Sequence, residues 1–213
     1  MAGTLRYLDS LEEEQRRGIT MRTSAIALQH LYTTPQKKKK KDAAEKMVIH
    51  LLDSPGHMDF SSEVSSALQI SDGALLVVDA VEGLCARTHQ VLREAFVHEM
   101  VPLLIINKVD RLCTELGLSP TEAYLRLQRL LESINAASAA MVTAGATATT
   151  NVGQTEESDI TMNKGVSEHD NHALDIQRKE ACWTFEPSKG NVVFGSALFG
   201  WGLTIPSLAR QMY

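Results

Sequence analysis

The most constraining stretch of this chain reads Val48-Ile49-His50-Leu51-Leu52-Asp53-Ser54-Pro55-Gly56-His57. An apolar run with β-branched residues predicts a buried strand, and Ser-Pro-Gly ends it at once. An acid is therefore set at the carboxyl end of a strand, before a turn whose glycine leaves a backbone N–H bare. In an open α/β sheet, ligands bind at that end of the strands. A carboxylate there can hold a hydrated Mg²⁺, and the glycine amide can donate to a phosphate oxygen. Asp-x-x-Gly alone is more often an ordinary turn, so the rest of the chain has to decide.

Downstream, strand and helix patterns alternate. Phe60, Val64, Ala67, Leu68 and Ile70 recur at helical spacing between Met58 and Ser71, and Gly73 is expected to end that helix. Ala74-Leu75-Leu76-Val77-Val78-Asp79 is a second buried strand closed by an acid, and Ala86–Glu99 again has helical spacing. Val101 to Ile106 predicts a third strand, which runs into Asn107-Lys108-Val109-Asp110. Ser119-Pro120-Thr121-Glu122 is a capping box with proline at the first helical position, so a helix is expected from there to about Ala137. Asn191-Val192-Val193-Phe194 predicts a fourth strand, stopping at Gly195-Ser196-Ala197. Strands apolar on both faces, alternating with helices, imply an α/β fold with a mostly parallel sheet covered by helices on both faces.

Two segments depart from this rhythm. Residues 138–189, rich in Ala, Thr, Ser, Asn, Glu and Gly, are expected to be a low-complexity, mostly disordered insertion at the surface. The block Lys37–Lys41 suits a solvated hairpin tip, with a nuclear signal or an RNA contact as the sharper alternatives. Near the N-terminus, Glu12 to Arg17 reads as a solvated helix ended by Gly18. The three cysteines, Cys85, Cys113 and Cys182, are odd in number and far apart, which argues against a disulfide framework or a zinc site. With a net charge of −5, the chain does not advertise sequence-specific nucleic-acid binding. No apolar run reaches the roughly 18 residues of a membrane span, so a soluble, cytoplasmic protein without a membrane partner is the expectation.

Chemistry-bearing residues thus fall at the carboxyl ends of three strands. In Asn107-Lys108-Val109-Asp110 an amide and a carboxylate stand three residues apart around a lysine stem. A carboxylate accepts two parallel N–H groups, which matches the N1 and N2 edge of guanine and clashes with adenine. The amide can bond the other polar edge of a purine, and the Lys108 methylenes can cover the base. A capped turn is the plainer alternative.

With these residues in view, the chain resembles translational GTPases of the elongation factor 2 and elongation factor G class. Asn107-Lys108-Val109-Asp110 matches their guanine motif, Asp53-Ser54-Pro55-Gly56-His57 their third motif, Arg17-Gly18-Ile19-Thr20 their first switch, and Gly195-Ser196-Ala197 their fifth motif. Residues 3–137 and 189–213 carry the likeness, and "LRYLDSLEEEQRRGITM" and "GNVVFGSALFGWG" look closer to the elongation-factor-like GTPases of 60S maturation than to elongation factor 2. The resemblance implies a G domain made of 1–137 and 190–213, GTP and Mg²⁺ as cofactors, and the GTPase-activating centre of the 60S subunit as partner. Release of an anti-association factor with a maturation cofactor protein is the implied task. Thr20 and Asp53 would serve Mg²⁺, Gly56 the γ-phosphate, and His57 the attacking water. Asn107, Lys108 and Asp110 would bind guanine, with Ser196 and Ala197 supporting its O6.

One motif is not in the sequence. A phosphate loop needs Gly-x-x-x-x-Gly-Lys-Ser/Thr, and no Gly-Lys pair occurs in the 213 residues. The resemblance places that loop and the first strand before this chain, and further domains after it. The expectation is therefore an incomplete G domain, truncated at both ends, that does not hydrolyse GTP as written.

Overall fold

A computed structural model describes residues 8–32, 45–152 and 178–212. The chain divides into two compact units, residues 3–70 and 71–213. The Lys37–Lys41 block lies outside the described residues.

In the first unit, helix α1 (Glu12–Arg17) ends where Gly18 takes the left-handed conformation, φ 71°. Strands β1 (Ser24–Tyr32) and β2 (Glu45–Asp53) pair antiparallel, with Ser24 opposite Asp53. The constraining run forms β2 as expected, but in a two-stranded ribbon rather than a buried parallel strand. Val48 and Ile49 are 57% and 44% exposed, because a ribbon of two strands supplies no layer to cover them. Pro55 is fully buried, a 3-10 turn spans Met58–Phe60, and α2 (Ser61–Gln69) follows.

Glu14 was expected to be solvated, yet it is 1% exposed. Its carboxylate accepts Leu11 N (2.9 Å) through Oε2, and Met21 N (2.8 Å) and Arg22 N (2.9 Å) through Oε1. The bond from Leu11 and those from Arg22 and Met21 overcome the opposing effect of burial and hold the Glu14 pKa below its usual value. One side chain therefore starts α1 and fixes the loop that leads into β1.

In the second unit, β3 (Gly73–Asp79), β4 (Val101–Asn107) and β5 (Val192–Ser196) run parallel, and β6 (Trp201–Leu203) adds antiparallel to β5. The antiparallel addition was not foreseen. It needs Gly195, where a Cβ would lie 2.9 Å from the Trp201 carbonyl oxygen. Helices α3 (Ala86–Val97), α4 (Asp110–Thr114) and α5 (Pro120–Val152) follow β3 and β4, residues 178–183 form α6, and α7 spans Ile205–Met212. Gly73 opens β3 instead of capping α2, which closes at Ile70. The capping box is as expected: Ser119 N donates to Glu122 Oε2 at 2.9 Å, and Glu122 N to Ser119 Oγ at 3.4 Å.

The core joins Leu76 and Val78 of β3, Leu104 and Ile106 of β4, and Val192 of β5 to Leu92, Ala95, Leu112, Leu130 and Ile134. On the other side of β3, Leu75 and Val77 are 50% and 59% exposed. The disordered insertion expected over 138–189 is corrected at both of its described ends. Helix α5 continues to Val152, and Val142, Trp183 and Phe185 are buried in the core. Phe96 and Trp183 meet edge to face at 5.3 Å, and Asn135 clasps Phe185 by accepting its N–H (2.8 Å) and donating to its carbonyl (2.9 Å). A run of small residues hid this packing, because Ala propagates a helix as readily as it populates loops.

Phe185→Ala should destabilise the second unit by about 3–5 kcal/mol, as for other buried aromatics, read as a lower denaturant midpoint. A loss under about 1 kcal/mol would contradict its place in the core. Glu14→Gln sets an NH₂ against the Leu11 N–H, or against the Met21 and Arg22 pair, and should cost about 1–3 kcal/mol. Hydrogen exchange at the Met21 and Arg22 amides would show it. The Glu14 contribution is fully present above the ordinary glutamate pKa and fades as pH falls through its lowered folded value.

Candidate functional site

Parallel register brings three strand ends of the second unit to one level. Asp79 lies opposite Asn107, and Ile106 opposite Phe194, two residues before Ser196. The Asn107 Oδ1 accepts Lys108 N at 2.8 Å and Ala197 N at 3.0 Å, and Val109 N donates to the Gly195 carbonyl at 3.2 Å. The two loops are thus stitched to each other. The Asn107 oxygen and the Ala197 amide are engaged with each other. Ser196 is fully buried and accepts Phe199 N through Oγ at 3.3 Å.

Asp110 opens α4, and its Oδ1 is buried without a hydrogen-bond partner among the described residues. An unmet buried acceptor costs about 1–3 kcal/mol. Lys108 sits at φ 60°, a left-handed conformation uncommon for a side-chain-bearing residue. Its Nζ reaches Asp79 Oδ2 at 2.8 Å, where Arg111 Nη1 also donates at 3.0 Å. Sequence reasoning noted Asp79 only as a strand-terminal acid and passed over Arg111. The signal available was an acid at the end of one parallel strand beside cations just after the next.

The first unit holds the other expected residues. Thr20 Oγ1 donates to Asp9 Oδ1 at 2.8 Å. Burial raises the Asp53 pKa, and the negative charges of Asp9 and Glu14 raise it further. A divalent cation near Asp53 would relieve that excess. Among the described residues no group of three or more His, Cys, Asp or Glu could hold a metal. Mg²⁺ fits that sparseness, since it keeps waters and takes phosphate oxygens beside one or two carboxylates. Gly56 and His57 are exposed just after buried Pro55. The His57 Nδ1 lies 3.4 Å from Asp59 Oδ2, and its ring meets Phe60 edge to face at 6.2 Å. Asp9 and Glu14 were not singled out as site residues, for they read as part of a polar connector.

Asn107, Lys108, Asp110, Ser196 and Ala197 thus lie at the strand ends of the second unit, while Thr20, Asp53, Gly56 and His57 lie in the first. No described helix is long and apolar enough to cross a membrane.

Comparison with known proteins gives the same class. Residues 2–212 match the elongation factor Tu GTP binding domain. The chain is 44% identical over 211 residues to "Elongation factor-like GTPase 1" of Mus musculus and 45% identical over 212 residues to the Homo sapiens protein of that name. It is 38% identical over 210 residues to "Ribosome assembly protein 1" of Saccharomyces cerevisiae. Each match takes in 99% of this chain but 18% of the relative, so the chain spans under a fifth of those proteins. By a family match that runs almost from end to end, the chain belongs to the elongation factor Tu GTP-binding domain family.

Proposed function

We propose that this chain is the guanine-nucleotide-binding part of a translational GTPase that acts on the 60S ribosomal subunit during its cytoplasmic maturation. The observation that carries the base assignment is the gathering of Asn107, Lys108, Asp110, Ser196 and Ala197 at strand ends that the Asn107 oxygen stitches together. Asp110 accepts the guanine N1 and N2 donors, Lys108 lays its stem across the base, and the Asn107 stitch keeps both loops in place before the base arrives. Gly56 donates its amide to the terminal phosphate, and His57 orients a water for in-line attack. A Mg²⁺ held near Asp53 and Thr20 would neutralise phosphate charge. Phosphoryl transfer asks mainly for such positioning and charge neutralisation.

The relatives' names support the ribosomal assignment, since one is called a ribosome assembly protein and the others elongation-factor-like GTPases. We take the partner to be the 60S GTPase-activating centre, with a maturation cofactor protein and an anti-association factor released at the end. An elongation factor 2-like translocase is the neighbouring reading. A second reading is a non-catalytic ribosome-associated module. Grafting residues 2–212 in place of the matched segment of the yeast relative tests both: rescue of 60S maturation favours the first reading, and ribosome association without turnover favours the second.

Two substitutions in the same graft test the residue roles. Wild type should bind GTP and GDP and discriminate against ATP by at least about a hundredfold, because adenine leaves Asp110 unpaired. Asp110→Asn should shift preference toward xanthine nucleotides, whose C2 carbonyl suits an amide donor. ATP binding equal to GTP binding in a competition titration would remove the guanine assignment.

His57→Ala should leave GTP affinity nearly unchanged and lower ribosome-stimulated hydrolysis by about a hundredfold or more, the scale of a lost positioning group. Parallel loss of binding and turnover would make His57 a structural residue instead.

A further inference from the structure

Asp79 is the most heavily engaged side chain at the strand ends of the second unit, and no role in nucleotide recognition has yet been given to it. Its side chain is 12% exposed. Oδ1 accepts Val81 N at 2.7 Å and Glu82 N at 3.2 Å, while Oδ2 accepts Lys108 Nζ at 2.8 Å and Arg111 Nη1 at 3.0 Å. Four donors thus converge on one carboxylate. The loop that carries two of them is pinned from the other side by Arg126, whose guanidinium donates to the Ala80 and Val81 carbonyls.

The two cations bracket Asp110 in sequence, one on each side. Lys108 is half exposed, at 49%, so packing alone does not fix its stem. Its backbone also holds an unfavourable left-handed conformation, φ 60°. Something must compensate for that cost and for the ordering of a long side chain. Exposed ion pairs do this poorly, but a mostly buried carboxylate with charge-assisted bonds to both partners does it better. Arg111 is additionally held by Glu115, with Nε to Oε1 at 2.7 Å. Burial opposes ionisation of Asp79, yet Lys108 and the Val81 and Glu82 amides outweigh it and keep its pKa below the usual range.

We infer that Asp79 is a positioning residue for the base site: it holds Lys108 extended, so that the Lys108 stem is in place before guanine binds. This deepens the guanine assignment and rests on it. Asp79 touches the base only through Lys108, so its contribution should depend on Lys108 and be blind to phosphate.

The test is a double-mutant cycle on the full 213-residue chain, with Asp79→Asn, Lys108→Met and the pair. Guanosine and GDP are titrated into the millimolar range and followed by the amide resonances of Lys108 and Ala197, with adenosine as control. Asp79→Asn should weaken guanosine and GDP by the same factor, about 3- to 30-fold, the range for groups coupled in one ion-pair network. In the Lys108→Met background the further loss should vanish. Affinity equal to wild type, or the same loss in both backgrounds, would overturn the positioning role while leaving guanine binding intact. A wild-type chain that binds neither ligand, or takes adenosine equally well, would instead overturn the guanine assignment and this proposal with it. Should Asp79→Asn fail to fold, Asp79→Glu keeps the charge and moves it by one methylene. It should show a smaller loss that Lys108→Met again cancels, and no loss would overturn the proposal.

Discussion

The arrangement of the second unit depends on one amide. Asn107 ends the middle strand of three parallel strands, and its side-chain oxygen takes a backbone N–H from its own loop and another from the loop after β5. Parallel pairing levels the strand ends, but it does not tie together the turns that leave them. The Asn107 oxygen does. Without it the Ala197 N–H and the Lys108 N–H would need other acceptors, and the residues that follow each loop would lose their shared frame. Asp110, Ser196 and the Gly195 carbonyl all take their places relative to that stitch.

Much of this was legible in the chain because the strand ends are marked by chemistry as well as by hydrophobicity. Apolar runs ending in Asp79, Asn107 and Ser196 name both the strand and its carboxyl end, and the Ser119–Glu122 box names the start of a helix. Legibility failed where one residue type serves two environments. Glu14 sits in a run of charges that reads as solvent-facing, yet three backbone amides converge on it and it is buried. The alanines and threonines after Ala137 read as a loose insertion, yet alanine also continues a helix, and Val142 provides enough apolar surface to seat it.

The candidate site was legible as a set of residue types and less so as a set of bonds. The motif residues Asn107, Asp110, Ser196 and Ala197 do gather, but the Asn107 oxygen and the Ala197 amide satisfy each other rather than standing open. Thr20, which the sequence marks as a partner for a metal with Asp53, donates its hydroxyl to Asp9. Such pairings depend on which neighbour is nearer by an ångström, and sequence spacing carries no information at that scale. Asp79 shows the converse case: its partner Lys108 is 29 positions away, and only the register of β3 against β4 brings them together.

The left-handed backbone at Lys108 also bears on which sequences this loop can tolerate. At φ 60° glycine would be the least strained residue, so the lysine is kept against the backbone's preference by its side-chain anchor. Positions 79 and 108 therefore share a single tolerance. With an acid at 79 the strain at 108 is compensated and a long cation is favoured there. Once the acid is gone, the same turn favours glycine, and with glycine at 108 little is left to demand an acid at 79. Substitution at either position resets the residue preferred at the other, across a separation that no local reading of the chain would connect.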